Sequence, residues 1–206
     1  MLTAYDPGVA AAALRVADRR LARLIDRTGP VAIMIEPTQS LFAALARSIV
    51  YQQLSGKAAA TIHGRLLALF PRRRIAPAAL LALPVERLRA AGLSAAKAAA
   101  VRDLAERTLD GTVPSLGRVR RMPDEEIIER LVQVRGIGRW TVEMLLIFRL
   151  GRPDVLPVTD LGVRKGFAVT FGLDELPDAD TMTRRAERWR PWRSVASWYL
   201  WRAVDG

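Results

Sequence analysis

Apolar residues recur along this chain at helical spacing almost throughout. From Val9 to Arg27, Leu14, Leu21, Leu24 and Ile25 fall on one face, which predicts a single amphipathic helix ended by Gly29-Pro30. Leu41 to Leu54 repeats the pattern, with Phe42, Leu45, Ile49 and Gln53 in register. Ala58 to Phe70 follows and is stopped by Pro71. Two short helices fit between Pro77 and Ala91, and Gly92 breaks the chain after them. Ser94 suits the cap of a helix from Ala95 to Leu109. Pro114 to Arg121 reads as a short basic element. Pro123 opens a helix running to about Val134, and Asp124, Glu125 and Glu126 complement the positive end of its dipole. Another runs from Gly138 to about Leu150. Three more are expected over Asp160 to Phe171, Asp178 to Trp189 and Trp192 to Val204. Only Val31 to Ile35 has the look of an extended run. The fold class is therefore all-α, with the seam between two packed lobes near Arg152-Pro153, where the helical pattern lapses.

Composition narrows what such a helical protein does. The chain has 206 residues, half of them hydrophobic, so it is long enough to bury a real core. It has no cysteine, which excludes disulfides, thiolate zinc sites, iron–sulfur clusters and cysteine nucleophiles. A single histidine, His63, leaves no histidine cluster for a metal or a proton relay, and reads as a surface or packing residue. No apolar run approaches the ~20 residues of a membrane helix, and the N-terminus has no secretion-signal pattern. Those features point to the cytoplasm and, in a bacterium, to the nucleoid. The net charge is +11, and of 32 basic residues only Lys57, Lys97 and Lys165 are lysines. Nucleotide composition of the genome accounts for arginine over lysine but not for basic over acidic. The excess fits a polyanionic partner, for which nucleic acid is the usual choice. Arg72-Arg73-Arg74 reads as a solvated loop adding to that attraction.

Two segments carry chemistry. In Val134-Arg135-Gly136-Ile137-Gly138-Arg139-Trp140-Thr141, a helix ends, two glycines bracket one apolar residue, and a helix begins. This reads as a helix–hairpin–helix. Glycine permits a tight turn and close approach, and the open amides of the second helix form a phosphate site. Ile137 would pin the turn to the core. A plain helical hairpin with a glycine stop would show some of the same features. The second segment, Pro157-Val158-Thr159-Asp160-Leu161, places Asp160 where a loop enters a helix. Its local role is an N-cap. That role is compatible with facing a developing positive charge.

Together the hairpin and the Pro-x-x-Asp-Leu run about twenty residues beyond it resemble the helix–hairpin–helix (HhH-GPD) DNA glycosylase superfamily. The AlkA-like branch, 3-methyladenine DNA glycosylase II, is the most similar. Ala46 to Ala59, Gly92 to Lys97, and Arg188-Trp189-Arg190-Pro191-Trp192-Arg193-Ser194 extend the resemblance over roughly residues 38 to 203. It implies a two-lobed helical fold with the active-site cleft between the lobes. Residues 36–152 would form a six-helix lobe holding the hairpin, and 1–35 plus 153–206 the lobe with the aspartate. The start of the chain suggests the compact form, without an N-terminal α/β domain. The implied enzyme is a monomer that flips an alkylated base out of double-stranded DNA. It would hydrolyse the glycosidic bond with Asp160 as the catalytic group. Trp140 stands where members with strand-cleaving activity carry lysine, so a monofunctional enzyme is expected.

The resemblance also assigns a base pocket to Trp140, Trp198, Trp201 and Met144, since an aromatic face attracts a cationic base. Trp189 and Trp192 read as core residues. Met144 replaces an aromatic of the best-known relative. DNA contacts fall to Arg135, Gly136, Gly138, Arg139 and Thr141. The Gln52-Gln53 turn would supply the wedge that fills the gap left by the flipped base. Gln53 stands where that relative has leucine, and an ordinary helical role suits it as well. No cofactor is required, neither an iron–sulfur cluster nor zinc. A structural Na+ or K+ would be held by the backbone carbonyls of Val132, Val134 and Ile137. Two other readings are a non-catalytic module of this fold that binds damaged or abasic DNA, and a bifunctional oxidised-base glycosylase/lyase.

Overall fold

A computed structural model describes residues 5–204, and among them every regular element is a helix. In chain order these are α1 (Pro7–Ala17), α2 (Arg19–Thr28), α3 (Leu41–Tyr51), α4 (Gly56–Ala68), α5 (Pro77–Leu81), α6 (Val85–Ala90) and α7 (Ala95–Leu109). They continue with α8 (Leu116–Val119), α9 (Asp124–Leu131), α10 (Arg139–Phe148), α11 (Leu161–Phe171), α12 (Ala179–Ala186) and α13 (Arg193–Arg202). Single 3-10 turns occupy Pro71–Arg73 and Glu187–Trp189. The chain divides into two compact units, 38–145 and 1–37 together with 146–206.

In the unit spanning 38–145, α7 packs against α3 and α5. Leu45, Ile49, Leu66, Leu80, Leu104, Ile127 and Val142 are fully enclosed in its core. Ser40, Ser55, Ser94 and Ser115 cap α3, α4, α7 and α8 through their hydroxyls. α3 ends at Tyr51, short of the register that predicts Gln53 on its face. The Lys97 ammonium captures the carbonyls of Val50 and Gln52 at 2.8 and 2.7 Å, which satisfies that helix end. The basic run at 72–74 is an ordered turn, with Arg73 donating to the Gly64 carbonyl.

The other unit is built on Leu14, Leu21, Val163, Phe167, Trp189, Tyr199 and Leu200. The predicted helix from Val9 to Arg27 is two helices here. Asp18 is extended, and its N–H closes α1 on the Leu14 carbonyl. Its carboxylate caps α2 through the Arg20 and Leu21 amides. The same carboxylate, only 3% exposed, accepts two bonds from Arg185 and one from the Trp189 indole. Apolar spacing continues across such a break, so periodicity alone does not register it. Residues 31–35 belong to no regular element, and Ile33 and Ile35 join the core. The division of the chain falls within α10, at Leu145/Leu146, rather than at Arg152-Pro153. The last turn of α10 is held by the second unit's own residues. The Phe148 carbonyl accepts from the Glu36 amide, and its ring lies against Trp201.

Candidate active site and nucleic-acid interface

The loop between α10 and α11 is fastened to the start of α13. Ser194 and Ser197 are fully buried and bond to it. The Ser194 hydroxyl donates to the Arg152 carbonyl at 2.7 Å and accepts from the Val155 amide at 2.9 Å. The Ser194 amide donates to the Pro153 carbonyl, and the Ser197 hydroxyl reaches the Val155 carbonyl. Arg193 grips both oxygens of Asp154, and Arg190 adds a further bond. The Arg-Trp-Arg-Pro-Trp-Arg-Ser segment thus positions the stretch that delivers Asp160.

Asp160 is the N-cap of α11. One oxygen, Oδ1, accepts from the Val163 amide at 2.8 Å and from the Trp201 indole N–H at 2.8 Å. Two donors on one oxygen fix the carboxylate's plane. Trp201 is half-buried and lies 5.7 Å from the ring of Phe148. A polarised carboxylate beside aromatic faces can stabilise a cationic centre. Trp198 packs against the same core as Trp201. Its ring meets Tyr199 edge-on and lies under the Arg202 guanidinium, and it makes no ring contact with Trp201 among the described residues. Trp189 is a core residue stacked on Phe171, and Trp192 is half-buried against Tyr5. Sequence reasoning missed Phe148, because an apolar residue in a last helical turn looks like any core position. It also missed Gly162, whose reason is purely spatial.

The hairpin lies in the other unit. Gly136 has φ +77°, where a side chain would be strained. Gly138 has no such requirement, and a Cβ there would meet nothing within 4 Å. Its lack of a side chain leaves open space at the start of α10, the kind of helix N-terminus that suits an anion. Ile137 is 4% exposed and anchors the turn. Thr141 is buried, and the Arg135 amide is held by Asp103 at 2.7 Å. The Arg135 side chain makes no ion pair among the described residues.

Arg139 is engaged by two carboxylates. Its guanidinium binds Glu125 through two bonds, at 2.7 and 3.0 Å, and Glu143 through a third at 3.1 Å. The hydrogen bond to Glu125, then the charges of both carboxylates, hold the guanidinium above its ordinary pKa. The same hydrogen bond holds the Glu125 carboxyl below its own. Arg139 braces α9 to α10.

The Gln52-Gln53 turn is tied to this hairpin. The Gln52 side chain donates to the Gly136 carbonyl at 2.8 Å. Gln53 is exposed and holds φ +55°, a left-handed conformation that is costly for a residue with a side chain. Trp140 stands on α10, 45% exposed, and Met144 one turn further on is half-buried. The carbonyls of Val132, Val134 and Ile137 are neutral oxygen donors of the kind a hard cation takes. The Val134 oxygen also accepts from the Ile137 amide at 3.0 Å and keeps a second lone pair.

Comparison with known proteins places the chain. The model of the HhH-GPD superfamily of base excision DNA repair proteins matches residues 46–191. DNA-3-methyladenine glycosylase 1 of Schizosaccharomyces pombe is 37% identical, over 89% of this chain and 80% of its own length. DNA-3-methyladenine glycosylase 2 of Escherichia coli is 30% identical, over 75% of this chain and 55% of its own. The solved structure of the S. pombe 3-methyladenine glycosylase Mag1 with abasic DNA superimposes with a TM-score of 0.78 at 36% identity, covering 94% of this chain and 95% of that one. A DNA-3-methyladenine glycosidase from Bacillus halodurans gives 0.85 at 34% identity, covering 98% and 91%. With most of its length matched by the family model and by relatives of this identity, the chain belongs to the HhH-GPD superfamily of base excision DNA repair proteins.

Proposed function

We propose that this chain is a monofunctional glycosylase that releases alkylated bases, of the 3-methyladenine and 7-methylguanine type, from double-stranded DNA. The observation that carries the reading is Asp160, capped onto α11 and bonded through one oxygen to the Trp201 indole. A purine alkylated on a ring nitrogen already carries positive charge. When the bond to C1′ breaks, its electron pair leaves with the base, which departs neutral. The positive charge moves to the sugar as an oxocarbenium ion, which Asp160 stabilises. Water adds its oxygen to C1′ and gives up a proton, leaving an abasic site. A departing group of this kind needs little acid assistance, which suits a chain with one histidine.

Trp140 has no amine with which to form a Schiff base, so hydrolysis rather than strand cleavage is the expected outcome. Trp140, Trp198, Trp201 and Met144 are proposed as base contacts, with Phe148 beside the Trp201 ring. The hairpin amides, Arg135 and Thr141 take the DNA backbone. Gln53 rather than Gln52 is proposed as the wedge, since the Gln52 side chain is engaged at Gly136. The Val132, Val134 and Ile137 carbonyls would hold a sodium or potassium ion, which when bound supplies positive charge for a phosphate.

The test is base release from methylated duplex DNA. Release of 3-methyladenine or 7-methylguanine by the wild type, lost in Asp160→Asn with DNA binding retained, supports the reading. DNA binding without release of any alkylated base would favour a non-catalytic binding module instead. A covalent adduct trapped by borohydride would show that strand-cleaving chemistry is present.

A further inference from the structure

Gly162 sits in the first turn of α11, two residues beyond Asp160. Its φ is not in the left-handed region, so the backbone does not require glycine there. Glycine is also among the poorest residues for a helical turn, and alanine the best. The reason lies in space. A Cβ at Gly162 would stand 2.8 Å from Cδ1 and 3.2 Å from Nε1 of Trp201, and 3.1 Å from Oδ1 of Asp160. One added methyl would therefore clash with the Trp201 ring and press against the Asp160 oxygen that the indole reaches. We infer that Gly162 is a positioning residue for Asp160: its bare Cα is what lets the Trp201 N–H reach the carboxylate.

The two helix backbones have no room to separate. α13 is locked against α11 at Gly166, where a Cβ would lie 1.9 Å from the Leu200 carbonyl oxygen. Phe148 lies against the Trp201 ring at 5.7 Å, limiting how far the indole can swing. The Asp160 carboxylate is held from behind by the Val163 amide. Accommodating a methyl must then rotate the indole away, and the hydrogen bond is lost while both helices stay in place. Trp201 accordingly acts on the reaction through Asp160 and not only as an aromatic wall.

The inference rests on the glycosylase reading for its consequence, but its test has one readout that does not. Gly162→Ala, Trp201→Ala, the double variant and the control Gly64→Ala are compared in the full chain. Gly64 lies in α4, with nothing but the tip of Arg73 within 4 Å of a Cβ. In isotope-labelled protein, the Trp201 indole N–H resonance should leave its hydrogen-bonded position in Gly162→Ala and stay put in Gly64→Ala. The single-turnover rate of base release should fall in Gly162→Ala by roughly tenfold to a hundredfold, the loss of a bond to a charged group. Affinity for abasic duplex should be unchanged. The double variant should be no slower than Trp201→Ala alone.

An unmoved indole resonance, a wild-type rate in Gly162→Ala, a loss traced wholly to weaker DNA binding, or losses that multiply in the double variant would each overturn the inference. If Gly162→Ala does not fold, the double variant decides. It folds and matches Trp201→Ala if the indole is the obstacle, and stays unfolded if the collision lies elsewhere. A wild type that releases no base fails the glycosylase reading itself, while the indole resonance still reports on Gly162.

Discussion

The two units build their functional features by different means. In the hairpin unit the proposed phosphate site is built mainly of backbone: a left-handed Gly136, an open Gly138 and the start of α10. Its most prominent basic side chain, Arg139, is consumed by Glu125 and Glu143. In the other unit the chemistry is carried by side chains distant in sequence. Asp160 meets Trp201 forty-one residues on, and Asp154 meets Arg193 thirty-nine residues on. A phosphate backbone repeats along DNA, so amides presented by a rigid turn suffice for it. A single reactive sugar needs one carboxylate held in one orientation, which takes a frame of long-range contacts.

Breaking the side-chain frame should give the largest effects. Asp160→Asn is expected to lower the single-turnover rate of base release by about a hundredfold or more, with affinity for abasic duplex retained. Asp18→Ala, which strips a buried carboxylate from Arg185, Trp189 and the start of α2, should cost about 3 kcal/mol in urea denaturation. The backbone side of the comparison is sharpened by its two glycines. Gly136→Ala should lose about 1 kcal/mol of stability from its left-handed φ, as well as DNA affinity. Gly138→Ala should lose affinity alone, measured on the same duplex.

Smaller effects separate the two arginines of the hairpin. Arg135→Ala should reduce the slope of log affinity against log salt by about one, the signature of one phosphate contact. Arg139→Ala should leave that slope nearly unchanged and instead loosen the hairpin. The smallest effect is one of pH. The Glu125 carboxyl is held below its ordinary value of 4.5 by the Arg139 hydrogen bond. A depressed carboxylate contributes stability that is present above the unfolded value and lost as pH falls through the folded one. Acid titration of stability below about pH 4.5 should therefore be shallower in Glu125→Gln than in wild type. Both groups are substantially exposed, so the difference is small.

What could be read in the sequence follows the same division. Helical spacing and the Ser94 cap locate α7 to the residue, because both signals are local. The hairpin is visible because glycine, isoleucine and the flanking periodicity lie within a few positions. The break at Asp18 is not visible, since Leu14 and Leu21 keep a common face across it. Arg139 looks like a phosphate ligand until Glu125, fourteen residues upstream, is seen to reach it. Gln53 appears helical because its register fits, yet the Lys97 ammonium closes α3 earlier. Asp160 is legible as a cap and, through family resemblance, as a reactive group. That Trp201 is its hydrogen-bond partner, and that Gly162 makes room for it, depends on how α11 and α13 pack.

The serine latch has a consequence for how this protein can change over time. Ser194 and Ser197 tie the loop before Asp160 to the same helix that carries Trp201. Carboxylate and indole thus share one hydrogen-bonded frame, which substitutions elsewhere in the unit leave untouched. Lineages adapting to heat or cold can then retune the stability of the outer helices without re-solving the geometry around Asp160.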